Sequence, residues 1–202
     1  MDAVKAFANC PIPRGNRVAI LTRGGGWGVI TADACEESGL VVPPLPDDII
    51  KKIDKILPKF WSRGNPIDMV ATISADPFTE IMEILIDWDG IDAIVALGGM
   101  GKVELQYSKD VQGPPELISV LSQLKGMKKM FSKDSNPISN RLMQLVAEGG
   151  KPIISVSLGS SDSHKEILEN YKLVSFPTPE RAVRVLRLMA EYRRFLESTA
   201  LN

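Results

Sequence analysis

The chain has 202 residues, 44% hydrophobic and 24% charged, with a formal net charge of −1, enough for one large domain or two small ones around a true core. A balance this close to neutral excludes a general nucleic-acid or membrane-surface binder, and no apolar run approaches the roughly 20 residues of a membrane span. The opening stretch MDAVKAFANCPIPRGNR lacks the basic start and long apolar run of a signal peptide, and the two cysteines, Cys10 and Cys35, have no metal-ligand spacing, so the composition reads as that of a reduced, cytoplasmic protein.

In chain order, residues 1–16 read as a lead-in, and Arg17–Thr22 as a buried strand. A burst of glycine follows, Gly24-Gly25-Gly26-Trp27-Gly28, and then a helix over Trp27–Ser38 that Gly39 is suited to end. Leu40–Leu45 carries two prolines and is at most a short strand. Ile49, Ile50, Ile53, Ile56 and Leu57 recur at helical spacing and predict a helix over Asp47–Phe60 capped by Asp47 or Asp48. SRGNPIDMVATISAD reads as a loop with one extended piece, and Pro77–Trp88 as a helix buried through Phe78, Ile81, Met82 and Leu85. Ala93–Leu97 and Ile153–Val156 are further buried strands, and Leu173–Phe176 is a short one before a long helix starting near Pro179. That helix carries a stripe of Ala182, Val185, Leu186, Met189, Tyr192 and Leu196. Between the third and fourth strand patterns the sequence is less regular. Helices are expected over Glu116–Leu124 and Ile138–Ala147, with a basic stretch from Lys125 to Lys133 read as a mobile, solvated excursion in preference to an anion site.

Strands alternating with helices, the strands as unbroken Val/Ile/Leu runs, argue for a parallel sheet covered on both faces. The expected fold is α/β: a flavodoxin-like, doubly wound parallel sheet in three α/β/α layers. One such domain would span 17–198, with a variable helical excursion at 100–148. In that fold ligands meet the carboxyl ends of the strands, where the glycine burst lies.

The burst is not a Walker loop, because no Gly-Lys-Ser/Thr closes it. Gly24 and Gly26 match the first two positions of a dinucleotide fingerprint, but Val29 stands at the third. What remains is general physics. Free N–H groups at a helix start, a favourable dipole and no Cβ atoms make an anion pocket. The alternative is a tight strand-to-helix crossover that needs glycine for packing. Neither a nucleophile–base pair nor a metal set appears elsewhere in the chain.

Five segments then come in one order: GNRVAILTRGGGWGVITADACEESGL, GNPIDM at Gly64–Met69, DGIDAIVAL at Asp89–Leu97, GKPIISVSLG at Gly150–Gly159 and FPTPERAVRVLRLMAEYRR at Phe176–Arg194. Together they resemble the second flavodoxin-like domain of the ADP- or NDP-forming acyl-CoA synthetases, relatives of succinyl-CoA synthetase. The resemblance implies a domain or subunit of an enzyme that makes acyl-CoA from an acid, CoA and a nucleoside triphosphate through an acyl phosphate and a phosphohistidine. It implies that Gly24, Gly25, Gly26, Trp27 and Gly28 form a helix start cradling the phosphate of a histidine carried by another domain. Arg23, Asn65 and Asp68 would support that loop. It implies partners: a CoA-binding and phosphohistidine domain and an ATP-grasp domain or subunit, with homodimerisation left open. CoA, ATP and Mg would belong to the complete synthetase, with no catalytic residue, cofactor or metal in this chain, and the chain would be inactive alone. The sequence departs from the family at bulky Trp27 and at Arg23 before the glycines. Its one histidine, His164 in SSDSHKEIL, reads as a solvated helix start, not as the family's histidine loop. A free-standing flavodoxin-like module binding a small anion or FMN is the alternative reading.

Overall fold

The computed structural model describes residues 1–70, 76–98, 150–157 and 173–200, with Arg141, Gln144, Leu145 and Glu148. Five strands, β1 (Val18–Thr22), β2 (Ile67–Asp68), β3 (Ala93–Leu97), β4 (Ile153–Val156) and β5 (Val174–Phe176), form one sheet in the order β2-β1-β3-β4-β5. Every pairing is parallel. β1 and β3 are buried at all five positions, as continuous apolar runs require when both faces are covered.

Helices α1 (Asp2–Asn9), α2 (Gly25–Glu37), α3 (Asp47–Ile53), α4 (Asp76–Asp87) and α5 (Pro179–Ala200) flank the sheet. Alternate strand residues feed two cores. Ala19, Leu21, Ile94, Ala96 and Ile153 pack with Ile49, Ile53, Phe78, Ile81 and Leu85 of α3 and α4. Val18, Ile20, Val95, Ile154 and Val156 pack with Ala6, Cys35, Ala182, Leu186 and Met189 of α1, α2 and α5. These are the three layers read from the sequence, with the flavodoxin-like strand order.

The strand runs fall within a residue of their expected positions. Leu40–Leu45 reduces to one bridge, Arg17 to Val41, since its prolines cannot donate to a ladder. α2 begins earlier than expected, at Gly25, and ends in a Schellman closure: Gly39 at φ +75°, its N–H on Glu36 O and Leu40 N–H on Cys35 O. The long helix expected over Asp47–Phe60 ends at Ile53. Its apolar spacing persists through Leu57, but Pro58 disfavours helical backbone just before it. There Asp54 accepts Trp61 Nε1–H at 2.7 Å, fixing the turn. The lead-in contains α1, which lies on α5 through an Asp2–Arg181 ion pair at 2.6 Å and an edge contact of Phe7 on Tyr192. The expected helix over Glu116–Leu124, the basic stretch and His164 lie outside the described residues.

At the amino ends of the strands, Asp92, 4% exposed, accepts Nε and Nη2 of Arg17 at 2.8 and 2.9 Å and the Arg17 N–H at 3.0 Å. Burial would raise the Asp92 carboxyl, but the Arg17 hydrogen bonds and charge outweigh it and hold it below its usual range. Lys151 Nζ donates to the carbonyls of Leu85, Ile86 and Trp88, at 3.4, 2.7 and 2.6 Å, closing the last turn of α4 with a cation.

Candidate functional site

The strand order reverses between β2-β1 and β3-β4-β5, so the carboxyl ends of β1 and β3 border the crevice where doubly wound sheets bind ligands. The glycine loop leaves β1 on this rim. Gly24 is the extended N-cap of α2, at φ −153°. Buried Thr22 shapes the turn, its hydroxyl donating to Gly24 O at 2.8 Å and accepting Gly24 N–H at 3.1 Å. No side chain caps α2, which leaves its first amides among the orphan donors of a helix start.

The four glycines have different tasks. A Cβ on Gly28 would stand 3.0 Å from both Pro66 Cβ and Thr22 Cγ2, so this glycine serves helix-to-sheet packing. A Cβ on Gly25 would stand 2.8 Å from Asp68 Oδ2. A Cβ on Gly24 or Gly26 would meet nothing within 4 Å. Positive φ does not explain them either: among the described residues the left-handed glycines are Gly39, Gly98 and Gly150. Gly26 therefore needs no left-handed backbone, contrary to what its place in a tight loop suggests. The crossover reading holds at Gly28, while Gly24 and Gly26 present bare open surface.

Trp27 turns away from the rim and packs half-buried against the core on the α5 side, anchoring the first turn of α2. It does not close over the glycines. The Arg23 guanidinium lies 5.4 Å above the Phe78 ring, on the α4 side of the sheet, and burial pulls its pKa below the usual range. Asn65 is tied to backbone: Oδ1 accepts Ile20 N–H at 2.9 Å, and Nδ2 donates to Val18 O and Pro43 O, both at 3.0 Å. It extends the short β1–β2 ladder below Leu21 and Ile67. Asp68 is brought to the head of α2. Its Oδ1 accepts Val70 N–H at 2.9 Å, while Oδ2 faces Gly25. Val70 sits at φ +46°, a strained conformation for a β-branched residue.

The rim thus gathers Gly24, Gly25, Gly26 and Asp68 at one helix terminus. Asn65 and Gly28 hold that terminus from below, and Arg23 and Trp27 face opposite layers. Asp33 and Glu37 are exposed on α2, as a solvated face requires. Among the described residues no three His, Cys, Asp or Glu side chains group to hold a metal, and no helix is long and apolar enough to cross a membrane. The donor set fits an anion held by backbone amides. The sequence placed Asp68 as a support of the glycine loop, but not its approach to Gly25, which joins segments far apart in the chain. The GNPIDM motif was its one local signal.

Residues 18–101 match the model of the Ligase-CoA domain family. The alpha subunit of ADP-forming acetate–CoA ligase II of Pyrococcus furiosus is 26% identical over 184 residues, covering 89% of this chain and 34% of that subunit. A crystal structure from Pyrococcus horikoshii superposes with a TM-score of 0.70 at 23% identity, over 94% of this chain and 38% of the other. A dinucleotide-forming acetyl-coenzyme A synthetase from Candidatus Korarchaeum cryptofilum, solved in complex with phosphate and ADP, gives 0.67 at 24% identity, over 98% and 38%. The chain therefore spans little more than a third of each of these three proteins. The resemblance to ADP-forming acyl-CoA synthetases read from the sequence is borne out.

Proposed function

We propose, from this likeness to ADP-forming acyl-CoA synthetases, that the chain is the Ligase-CoA domain of such an enzyme and that the head of α2 receives a phosphoryl group during transfer. One observation carries the reading: Gly24 and Gly26 are bare toward open space with ordinary backbone, so neither packing nor strain accounts for them. A phosphoryl group passed between domains suits backbone donors, which stabilise charge without committing a side chain. Amides of Gly25 and Gly26 would bind its oxygens. Thr22 and Asn65 would keep the turn and β1 fixed while it does so. CoA, nucleotide and Mg would be held by partner domains, with the phosphoryl carried here on a histidine of one of them. The chain alone then makes no acyl-CoA.

The test is Gly26→Val in the complete synthetase. The variant is expected to fold, since a Cβ at this position meets no atom within 4 Å and the backbone is not left-handed; thermal melting checks it. It is expected to bind CoA as the parent does and to lose phosphoryl transfer. A folded variant that turns over like the parent sinks the proposal.

A further inference from the structure

Asp68 places an acidic group where the proposed function needs a positive field. Its Oδ2 occupies the space a Gly25 side chain would take, 2.8 Å from the Cβ position. Its Oδ1 is engaged by Val70 N–H at 2.9 Å, which aims the second oxygen at the start of α2. Gly25 lacks a side chain, then, in order to admit Asp68. The carboxylate gains from the helix dipole there without capping the amides, and a phosphate arriving at those amides meets a like charge a few ångströms away. We infer that Asp68 is a resident anion at the head of α2, which an incoming phosphoryl group must displace, so that the loop rejects free inorganic phosphate. This inference rests on the phosphate reading of the loop. The displaced segment is suited to move. β2 is a two-residue edge strand, and Val70 beyond it is held in left-handed backbone by the same carboxylate, so release of Asp68 lets Val70 relax. A group tethered to another domain arrives at high local concentration and can displace the carboxylate. Free phosphate has no such advantage.

The experiment titrates inorganic phosphate into the 15N-labelled chain at constant ionic strength, following the amides of Gly25, Gly26 and Trp27. Three proteins are compared: the parent, Asp68→Asn and Gly25→Ala. Asparagine keeps the acceptor for Val70 N–H and removes the charge. Alanine leaves the charge and pushes it aside, since its Cβ would stand 2.8 Å from Oδ2. Both variants are expected to bind phosphate about tenfold more tightly than the parent, or better. Thermal melts show which variants fold, and either folded one decides the matter. If phosphate shifts these amides in a folded variant at the parent's affinity or weaker, the resident-anion inference is overturned and the loop reading stands. If phosphate moves none of these amides in any of the three, the loop reading fails and this inference falls with it.

Discussion

Alanine at position 28 and alanine at position 26 are expected to act in opposite directions. At Gly28 the new methyl would stand 3.0 Å from Pro66 Cβ and from Thr22 Cγ2, and 3.5 Å from Pro66 Cγ. Carbon atoms pack best at about 3.5–4.0 Å. Neither neighbour can yield easily: Thr22 is buried and bonded at both ends of the Gly24 turn, and Pro66 follows Asn65, which is held by three hydrogen bonds. Overpacking of this kind costs about 1–3 kcal/mol, and the helix propensity of alanine returns about 1 kcal/mol. The net loss is up to about 2 kcal/mol, a melting temperature lower by up to roughly 8 °C for a chain of this size. At Gly26 the methyl meets nothing within 4 Å. Only the backbone gain remains, about 0.5–1 kcal/mol, so the melt should rise by roughly 1–4 °C. Thermal unfolding followed by circular dichroism measures both. A Gly28→Ala protein as stable as Gly26→Ala would refute the division of these glycines into packing and open ones.

Asn65→Ala removes three hydrogen bonds to β1 and Pro43 and leaves buried backbone groups unpaired, so urea unfolding should show a loss of about 2–4 kcal/mol. Lys151→Met strips the cation from three carbonyls at the end of α4 and should cost about 1.5–3 kcal/mol in the same assay. The Asp92 carboxyl is held below its ordinary value of 3.8 when folded. Its contribution is therefore present above that pH and is lost as pH falls through the lower folded value. Asp92→Asn should be less stable than the parent at pH 7, and the gap should narrow below about pH 4; a gap independent of pH would remove the Arg17 pairing as its cause.

The central strands were legible because burial on both faces leaves no polar position to confuse the pattern, as VAILT and AIVAL show. β2 was legible only as an extended piece. Two residues carry no periodicity, and its partner is chosen by the Asn65 amide from a distance. α1 escaped notice for a similar reason. Eight residues hold one fully buried side chain, Ala6, and their cover is α5, near the other end of the sequence. The helix at Asp47 was drawn too long because spacing reports which face is apolar, not where the backbone stops turning. The glycine loop stood out at once, but its four glycines look alike in sequence. Only the neighbours Pro66, Thr22 and Asp68 tell them apart.

The Asp2–Arg181 pair also decides where an attachment to this domain would act. Arg181 opens α5 just beyond the carboxyl end of β5, so Met1 emerges on the same side of the sheet as the glycine loop. α5 runs 22 residues away from that side, about 33 Å at 1.5 Å per residue. A fusion joined ahead of Met1 is leashed close to the rim and competes there at raised effective concentration. The same fusion joined after α5 is held on the far side and leaves the rim clear. Ligand binding measured on the two fusions should differ for that reason alone.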